Sequence, residues 1–138
     1  MGRLDGKRIV ITGSSRSLGR DFALACAAEG ASLIINGTNE VALAAVAAEI
    51  AALGVPVHAV PGSVAEAAVC NALVETCVDK FGGIDVMVNN AGIVRDRTLL
   101  KMSDEDFDEV IAVNLRGPFL CTRRAALAMS EQGGGHII

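Results

Sequence analysis

The sequence predicts an α/β fold, a doubly wound parallel sheet covered by helices on both sides. Three observations lead there. Short apolar runs alternate with longer helix-patterned stretches in the order βαβαβαβαβ. The runs are apolar on both faces, as strands buried between two helix layers must be. A turn rich in glycine and serine, GSSRSLG, joins the first strand to the first helix.

Taken in order, residues 8–12, RIVIT, form a β-branched first strand. After the glycine turn, RDFALACAAEG reads as a helix that stops at Gly30. Residues 31–36, ASLIIN, read as a second strand, followed by the turn NGTN. An Ala-rich amphipathic helix runs over 40–53, with Gly54 as its stop. Residues 55–60, VPVHAV, read as a third strand, with Pro56 near its start, where a missing donor is best tolerated. A helix over 65–81 ends at Gly82-Gly83, and 84–88, IDVMV, is a fourth strand running into NNAG. Ser103 with Asp106 three residues on resembles a capping box. The long helical stretch that follows reaches about Glu131, with an irregularity expected at Gly117-Pro118. After the break GGG, His136-Ile137-Ile138 opens a fifth strand. The expectation is one domain over 1–138, incomplete at its C-terminus, because a strand beginning at the last three residues is an unusual natural end.

Composition narrows the function. With 51% hydrophobic and 20% charged residues, the 138-residue chain can bury a core and is not disordered. Twelve basic residues against sixteen acidic give a net charge of −4, and there is no basic block. That balance argues against nucleic acid or an anionic membrane as the main partner. No apolar stretch approaches the roughly 18 residues of a membrane span. MGRLDGKR lacks the apolar segment of a secretory signal, so cytosol is the expected compartment. Cys26, Cys70, Cys77 and Cys121 lack zinc-type spacing and are expected to be reduced packing residues. No metal site is expected.

The turn Thr12-Gly13-Ser14-Ser15-Arg16-Ser17-Leu18-Gly19 carries the first chemical signal. It stands where the Rossmann-type sheet binds a dinucleotide pyrophosphate. A helix N-terminus there offers free N–H groups and the positive end of a dipole. Small residues let phosphates approach the backbone, and Ser14, Ser15 and Ser17 add hydroxyl donors. The same turn with no ligand is the alternative.

With Asn89-Asn90-Ala91-Gly92 ending the fourth strand and Asn114 in VIAVNLRGPF, the chain resembles the short-chain dehydrogenase/reductases. The resemblance covers essentially all 138 residues, and only the N-terminal half of a typical member. The stretch NNAGIVRDRTLLKMSDEDFDEVIAVNLRGPF is similar to 3-oxoacyl-[acyl-carrier-protein] reductases in particular. The resemblance implies that Gly13, Ser14, Ser15, Arg16, Ser17, Leu18 and Gly19 hold the pyrophosphate and adjoining ribose. It places Ser63 and Val64 beside the adenine, and Asn90, Ala91 and Gly92 along the ribose and nicotinamide. Asn114 would be the asparagine of the catalytic set, holding a water in the proton relay. Two positions depart from the pattern: Ser17 replaces a usual glycine, and Ser63 a frequent aspartate. Ser17 keeps its N–H, so binding is expected to survive unless its φ must be positive.

The cofactor expected is NADP(H) rather than NAD(H). An acid at the end of the second strand selects NAD by pairing with the ribose 2′-hydroxyl. Here Asn36-Gly37-Thr38-Asn39 carries no acid before Glu40. Arg16 can face a 2′-phosphate and Thr38 can donate to it. In the alternative, Arg16 is solvated and Asn36 or Asn39 serves an NAD ribose.

The resemblance also implies a Tyr as general acid or base, a Lys that lowers its pKa, and a Ser that orients the substrate carbonyl. The chain has no Tyr, and Lys7, Lys80 and Lys101 stand elsewhere. The Ser would lie just past the last residue. The expectation is therefore the cofactor-binding part of an NAD(P)-dependent oxidoreductase acting on a small carbonyl or alcohol substrate. Alone, it should be inactive by the family mechanism. A non-catalytic nucleotide-binding or dimerising module, or a degenerate remnant, is the alternative. The helix over 104–131 makes subunit contacts in this family, which implies a homo-oligomer and exposed apolar surface on the isolated chain.

Overall fold

A computed structural model describes residues 2–138. Five strands form one parallel sheet: β1 (Arg8–Ile11), β2 (Ser32–Gly37), β3 (Val57–Pro61), β4 (Val86–Val88) and β5 (His136–Ile137). Their spatial order is β3-β2-β1-β4-β5, so the winding reverses beside β1. The helices between them are α1 (Ser17–Ala28), α2 (Glu40–Ala52), α3 (Ala67–Phe81), α4 (Asp104–Ile111) and α5 (Gly117–Gln132).

Strand periodicity sorts the core into two layers. Successive side chains point to opposite faces of a sheet. Ile9 and Ile11 of β1 and Leu33 and Ile35 of β2 meet Ala23 and Ala27 of α1 and Leu43, Val46 and Ile50 of α2. Val10, Ile34 and Met87 face the other way, onto Leu73 and Val74 of α3 and Leu120, Cys121 and Met129 of α5. Each fully buried aliphatic side chain contributes about 1.5–3 kcal/mol. The two layers pin the register, since a slip of one residue would exchange them.

The cysteines behave as packing residues. Cys70, Cys77 and Cys121 are buried, Cys26 is partly so, and all four are free thiols. Burial pushes the Cys77 thiol up to about 12. The Cys121 thiol is raised by its hydrogen bond to Cys70 and by burial. Among the described residues no group of His, Cys, Asp or Glu could hold a metal ion. No helix is long and apolar enough to cross a membrane.

Several local boundaries differ from the sequence reading; the third strand, for one, runs Val57–Pro61 rather than 55–60. The first helix starts at Ser17 rather than residue 20. The third starts at Ala67 rather than 65; the Ser63 hydroxyl accepts from Ala65 N at 3.2 Å and holds that stretch as a turn. The fourth strand is only Val86–Val88, since Gln132 takes both the N–H and the C=O of Ile84. The irregularity in the long helix is a π-turn over Ala112–Arg116, one turn before Gly117-Pro118. Pro118 lies in the first turn of α5, where its missing N–H leaves no bond unmade. Half of the capping box expected at Ser103 forms: its hydroxyl accepts from Asp106 N at 3.0 Å, while the Asp106 carboxylate faces Arg97 at 3.7 Å.

The end of the sheet away from the reversal loops is tied by Arg8 and Asp85. The carboxylate accepts from the Arg8 backbone N at 2.8 Å and from Nε and Nη2 at 2.8 and 2.9 Å. The Arg8 guanidinium thereby holds the Asp85 carboxyl below its ordinary value of 3.8. A depressed carboxylate pKa stabilises the fold above the unfolded value, and that contribution is lost as pH falls through the folded one. Asp85→Asn is expected to cost about 2 kcal/mol at neutral pH. It should also flatten the fall of the melting temperature below about pH 4, measured by circular dichroism. An unchanged acid limb would contradict this assignment.

Candidate functional site

At the C-terminal ends of the strands, where the winding reverses, lies a cavity of about 590 Å³. Open parallel sheets place ligands at this position, and the volume is within the range of ligand clefts. Its walls come from the loops after β1, β2, β3 and β4, together with α4 and the π-turn.

Thr12, at the end of β1, is the brace. Its Oγ1 accepts the N–H groups of Asn90 and Ala91, each at 3.0 Å. Asn90 Nδ2 returns to the carbonyls of Thr12 and Gly13, both at 3.1 Å. The loops after β1 and β4 are thus locked side by side. Gly13 has φ +61°, and a Cβ there would stand 2.8 Å from Ala91 Cα. A Cβ on Gly19 would stand 2.1 Å from the Gly13 carbonyl oxygen. Both glycines are required by close approach.

The N-terminus of α1 opens at this cavity without a side-chain cap and without an acid in its first turn. Its leading N–H groups have no side-chain partner, and the dipole favours an anion there. Ser15, Arg16, Ser17, Leu18 and Gly19 all line the wall. Ser17 is the sole non-glycine residue with positive φ among the described residues, at +50°. The glycine usual at this position would relieve strain of about 1 kcal/mol. Ser17→Gly is therefore expected to raise the melting temperature by about 2–5 °C. A lower melting temperature would contradict the strain.

Ser14 corrects the sequence reading. It is fully buried, donates to the Ile11 carbonyl at 2.8 Å and accepts from Asn36 N at 3.0 Å. Its hydroxyl faces the sheet, outside the cavity wall, and holds the turn rather than offering a donor to phosphate.

Asn36, in the sequence an alternative partner for an NAD ribose, has a different task. It is 1% exposed. Its Oδ1 accepts from Gly13 N at 3.2 Å, and its Nδ2 donates to the carbonyls of Val60 and Gly62 at 3.0 Å. One amide ties the ends of β1, β2 and β3 together. That commitment removes Asn36 as a partner for a ribose. Thr38 is exposed at the rim, as is Arg16. At Gly37 a Cβ would stand 2.6 Å from Ser15 Oγ, so the rim has no room for a side chain without moving Ser15.

Ser63 and Val64 line the cavity beyond β3, and Asn90, Ala91 and Gly92 line it beyond β4. Asn114 sits in the π-turn behind that wall. Its Oδ1 accepts from Ile93 N and its Nδ2 donates to Ile93 O, both at 2.8 Å. Both arms of the amide clamp the loop, so the side chain serves as a brace in this structure. Two further wall residues escaped the sequence reading. Arg95 donates through Nε and Nη2 to Glu109 at 2.9 and 3.0 Å. They are fourteen residues apart, and no local pattern connects them.

A five-stranded parallel sheet with its cavity at the winding reversal and a glycine turn opening its first helix defines a Rossmann-type α/β protein. The family described as short chain dehydrogenase matches over residues 7–138, and the chain belongs to that family. It is 45% identical over 139 residues to a 3-oxoacyl-[acyl-carrier-protein] reductase from Synechocystis sp., covering 100% of this chain and 56% of that protein. A reductase of the same description from Aquifex aeolicus is 41% identical over 137 residues, covering 99% and 55%. A crystal structure of a short-chain type dehydrogenase/reductase from Mycobacterium marinum superposes with a TM-score of 0.92 at 38% identity, covering 97% of this chain and 55% of that one. The chain thus spans about half the length of the relatives it matches.

Proposed function

We propose that this chain is the cofactor-binding part of an NAD(P)-dependent oxidoreductase, and that it prefers NADP(H) to NAD(H). The observation that carries the reading is the uncapped N-terminus of α1, opening between Gly13 and Gly19 with Arg16 beside it. The glycine cradle and the free N–H groups fit a pyrophosphate; a side chain at either glycine would collide with the turn and loop that form it. Ser15 and Ser17 add hydroxyls at the same end, with Leu18 beside them. Ser63 and Val64 would flank the adenine, and Asn90, Ala91 and Gly92 the ribose and nicotinamide. When bound, the nicotinamide supplies or accepts hydride.

Arg16 and Thr38 support the choice of NADP(H). Both stand at the rim beside the end of β2, and no acid precedes Glu40. A charge-assisted arginine–phosphate bond is the stronger kind. The reductases it resembles suggest a carbonyl or alcohol substrate for the complete enzyme. Asn114, in register with that family's catalytic asparagine, would hold the relay water through its backbone at the π-turn. No Tyr is present in the 138 residues, so the proton-transferring phenol is not supplied by this segment. That lack favours, as a second reading, a binding role without turnover for this chain alone.

The exposed Phe107, Leu115, Phe119 and Leu127 on α4, the π-turn and α5 support a homo-oligomer built on this face. One domain in the cytoplasm completes the proposal. Titration of the chain with NADPH and NADH tests the cofactor choice by protein-enhanced nicotinamide fluorescence. We expect tighter binding of NADPH, with most of the difference lost in Arg16→Ala. Equal dissociation constants in the unmodified chain would overturn the preference.

A further inference from the structure

Residues 89–98 have no helix or strand of their own, and Asn90, Ala91, Gly92, Ile93 and Arg95 among them line the cavity. Side chains hold them in place. Thr12 takes the N–H groups of Asn90 and Ala91, and Asn114 grips Ile93 on both sides. Glu109 takes Arg95 through two hydrogen bonds, and Asp106 faces Arg97 at 3.7 Å. Asp106 and Glu109 lie one helical turn apart on α4, so one face of that helix holds both arginines of the loop.

The charged side chains on the cavity wall are Arg16, Arg95 and Glu109. Arg16 belongs to the pyrophosphate end. Arg95 and Glu109 line the opposite end with Ala91, Gly92 and Ile93, and they neutralise each other there. This matters because a nicotinamide ring is cationic when oxidised and neutral when reduced. A net wall charge near it favours one form; a balanced pair favours neither.

We propose that the Arg95–Glu109 ion pair is a charge-balanced wall that sets the relative affinity for oxidised and reduced cofactor. The proposal rests on the reading that the nicotinamide lies at the Ala91–Gly92 end of the cavity. Removing Arg95 leaves the Glu109 carboxylate unpaired, which attracts the cationic ring. Removing the carboxylate leaves the guanidinium, which repels it. The side chains are 37% and 50% exposed, so solvent screens the effect. A change of about threefold in the oxidised-to-reduced ratio is expected at low salt, shrinking as salt rises.

The experiment compares Arg95→Met and Glu109→Gln with the unmodified chain. Dissociation constants are measured for NADP⁺ and NADPH, and for 2′,5′-ADP, which lacks the nicotinamide. The ratio Kd(NADP⁺)/Kd(NADPH) should fall in Arg95→Met and rise in Glu109→Gln, with 2′,5′-ADP binding unchanged in both. A ratio that stays fixed, or moves the same way in both variants, would overturn the proposal. Loss of 2′,5′-ADP binding in both variants would make the pair a structural brace only, and overturn it as well. If the unmodified chain binds neither dinucleotide, the reading of the cavity fails and this inference falls with it. If it binds both and the ratio does not move, only this inference fails.

Discussion

Gly19→Ala is expected to abolish the cofactor cradle and to destabilise the fold by about 3 kcal/mol. The added Cβ would stand 2.1 Å from the Gly13 carbonyl oxygen and 2.5 Å from Asn90 Nδ2. Neither neighbour can yield cheaply. Gly13 is backbone, packed close to Ala91, and Asn90 Nδ2 is bonded to the carbonyls of both Thr12 and Gly13. Relief requires α1 to move off the turn, and its free N–H groups move with it. A urea titration should show the loss of stability, and NADPH affinity should fall at least about tenfold. A variant with unchanged midpoint and unchanged affinity would mean that α1 does not hold the ligand.

The second large effect is expected at Asn36. Asn36→Ala leaves the Gly13 N–H and the Val60 and Gly62 carbonyls without this partner in a buried region. Unsatisfied buried polar groups cost about 1–3 kcal/mol each, partly recovered where water can enter. The net expectation is a loss of about 3 kcal/mol, read as a shift of the urea midpoint. Thr38→Ala, two residues away at the exposed rim, should leave stability within about 0.5 kcal/mol of the unmodified chain. If the two variants lose the same small amount, Asn36 is not the tie between the strand ends.

The contrast between these two residues shows what the sequence made legible. Asn36 and Thr38 both look like turn residues after an apolar run. Only the meeting of three strand ends around Asn36 makes it a buried clamp, and that meeting is a fact of topology. Ser14 is the same case: a serine in a glycine turn suggests a phosphate donor, but its hydroxyl lies between Ile11 and Asn36. The alternation of apolar runs with helical stretches did predict the parallel sheet and its helix layers, because both periods are written in consecutive residues. The Ser103 cap was legible for the same reason, three residues apart on one turn. The π-turn was not, since 112–116 keeps a helical pattern and only its backbone differs. Asn114 was found through its register with NNAG, while its grip on Ile93 needed the path of the loop. Arg95 and Glu109 needed that path too.

The cavity between the glycine turn and the Ala91–Gly92 loop is proposed to take a nicotinamide dinucleotide. Amide NMR of the isotope-labelled 138-residue chain, titrated with NADPH, tests it most directly. Saturable shifts are expected at Gly13, Ser15, Ser17, Gly19 and Thr38 at one end and at Ala91 and Gly92 at the other. Ala25, Ala44 and Asp79, which are not part of the cavity wall, should hold still. A folded spectrum that does not respond to NADPH, or shifts confined to residues outside that wall, would contradict it.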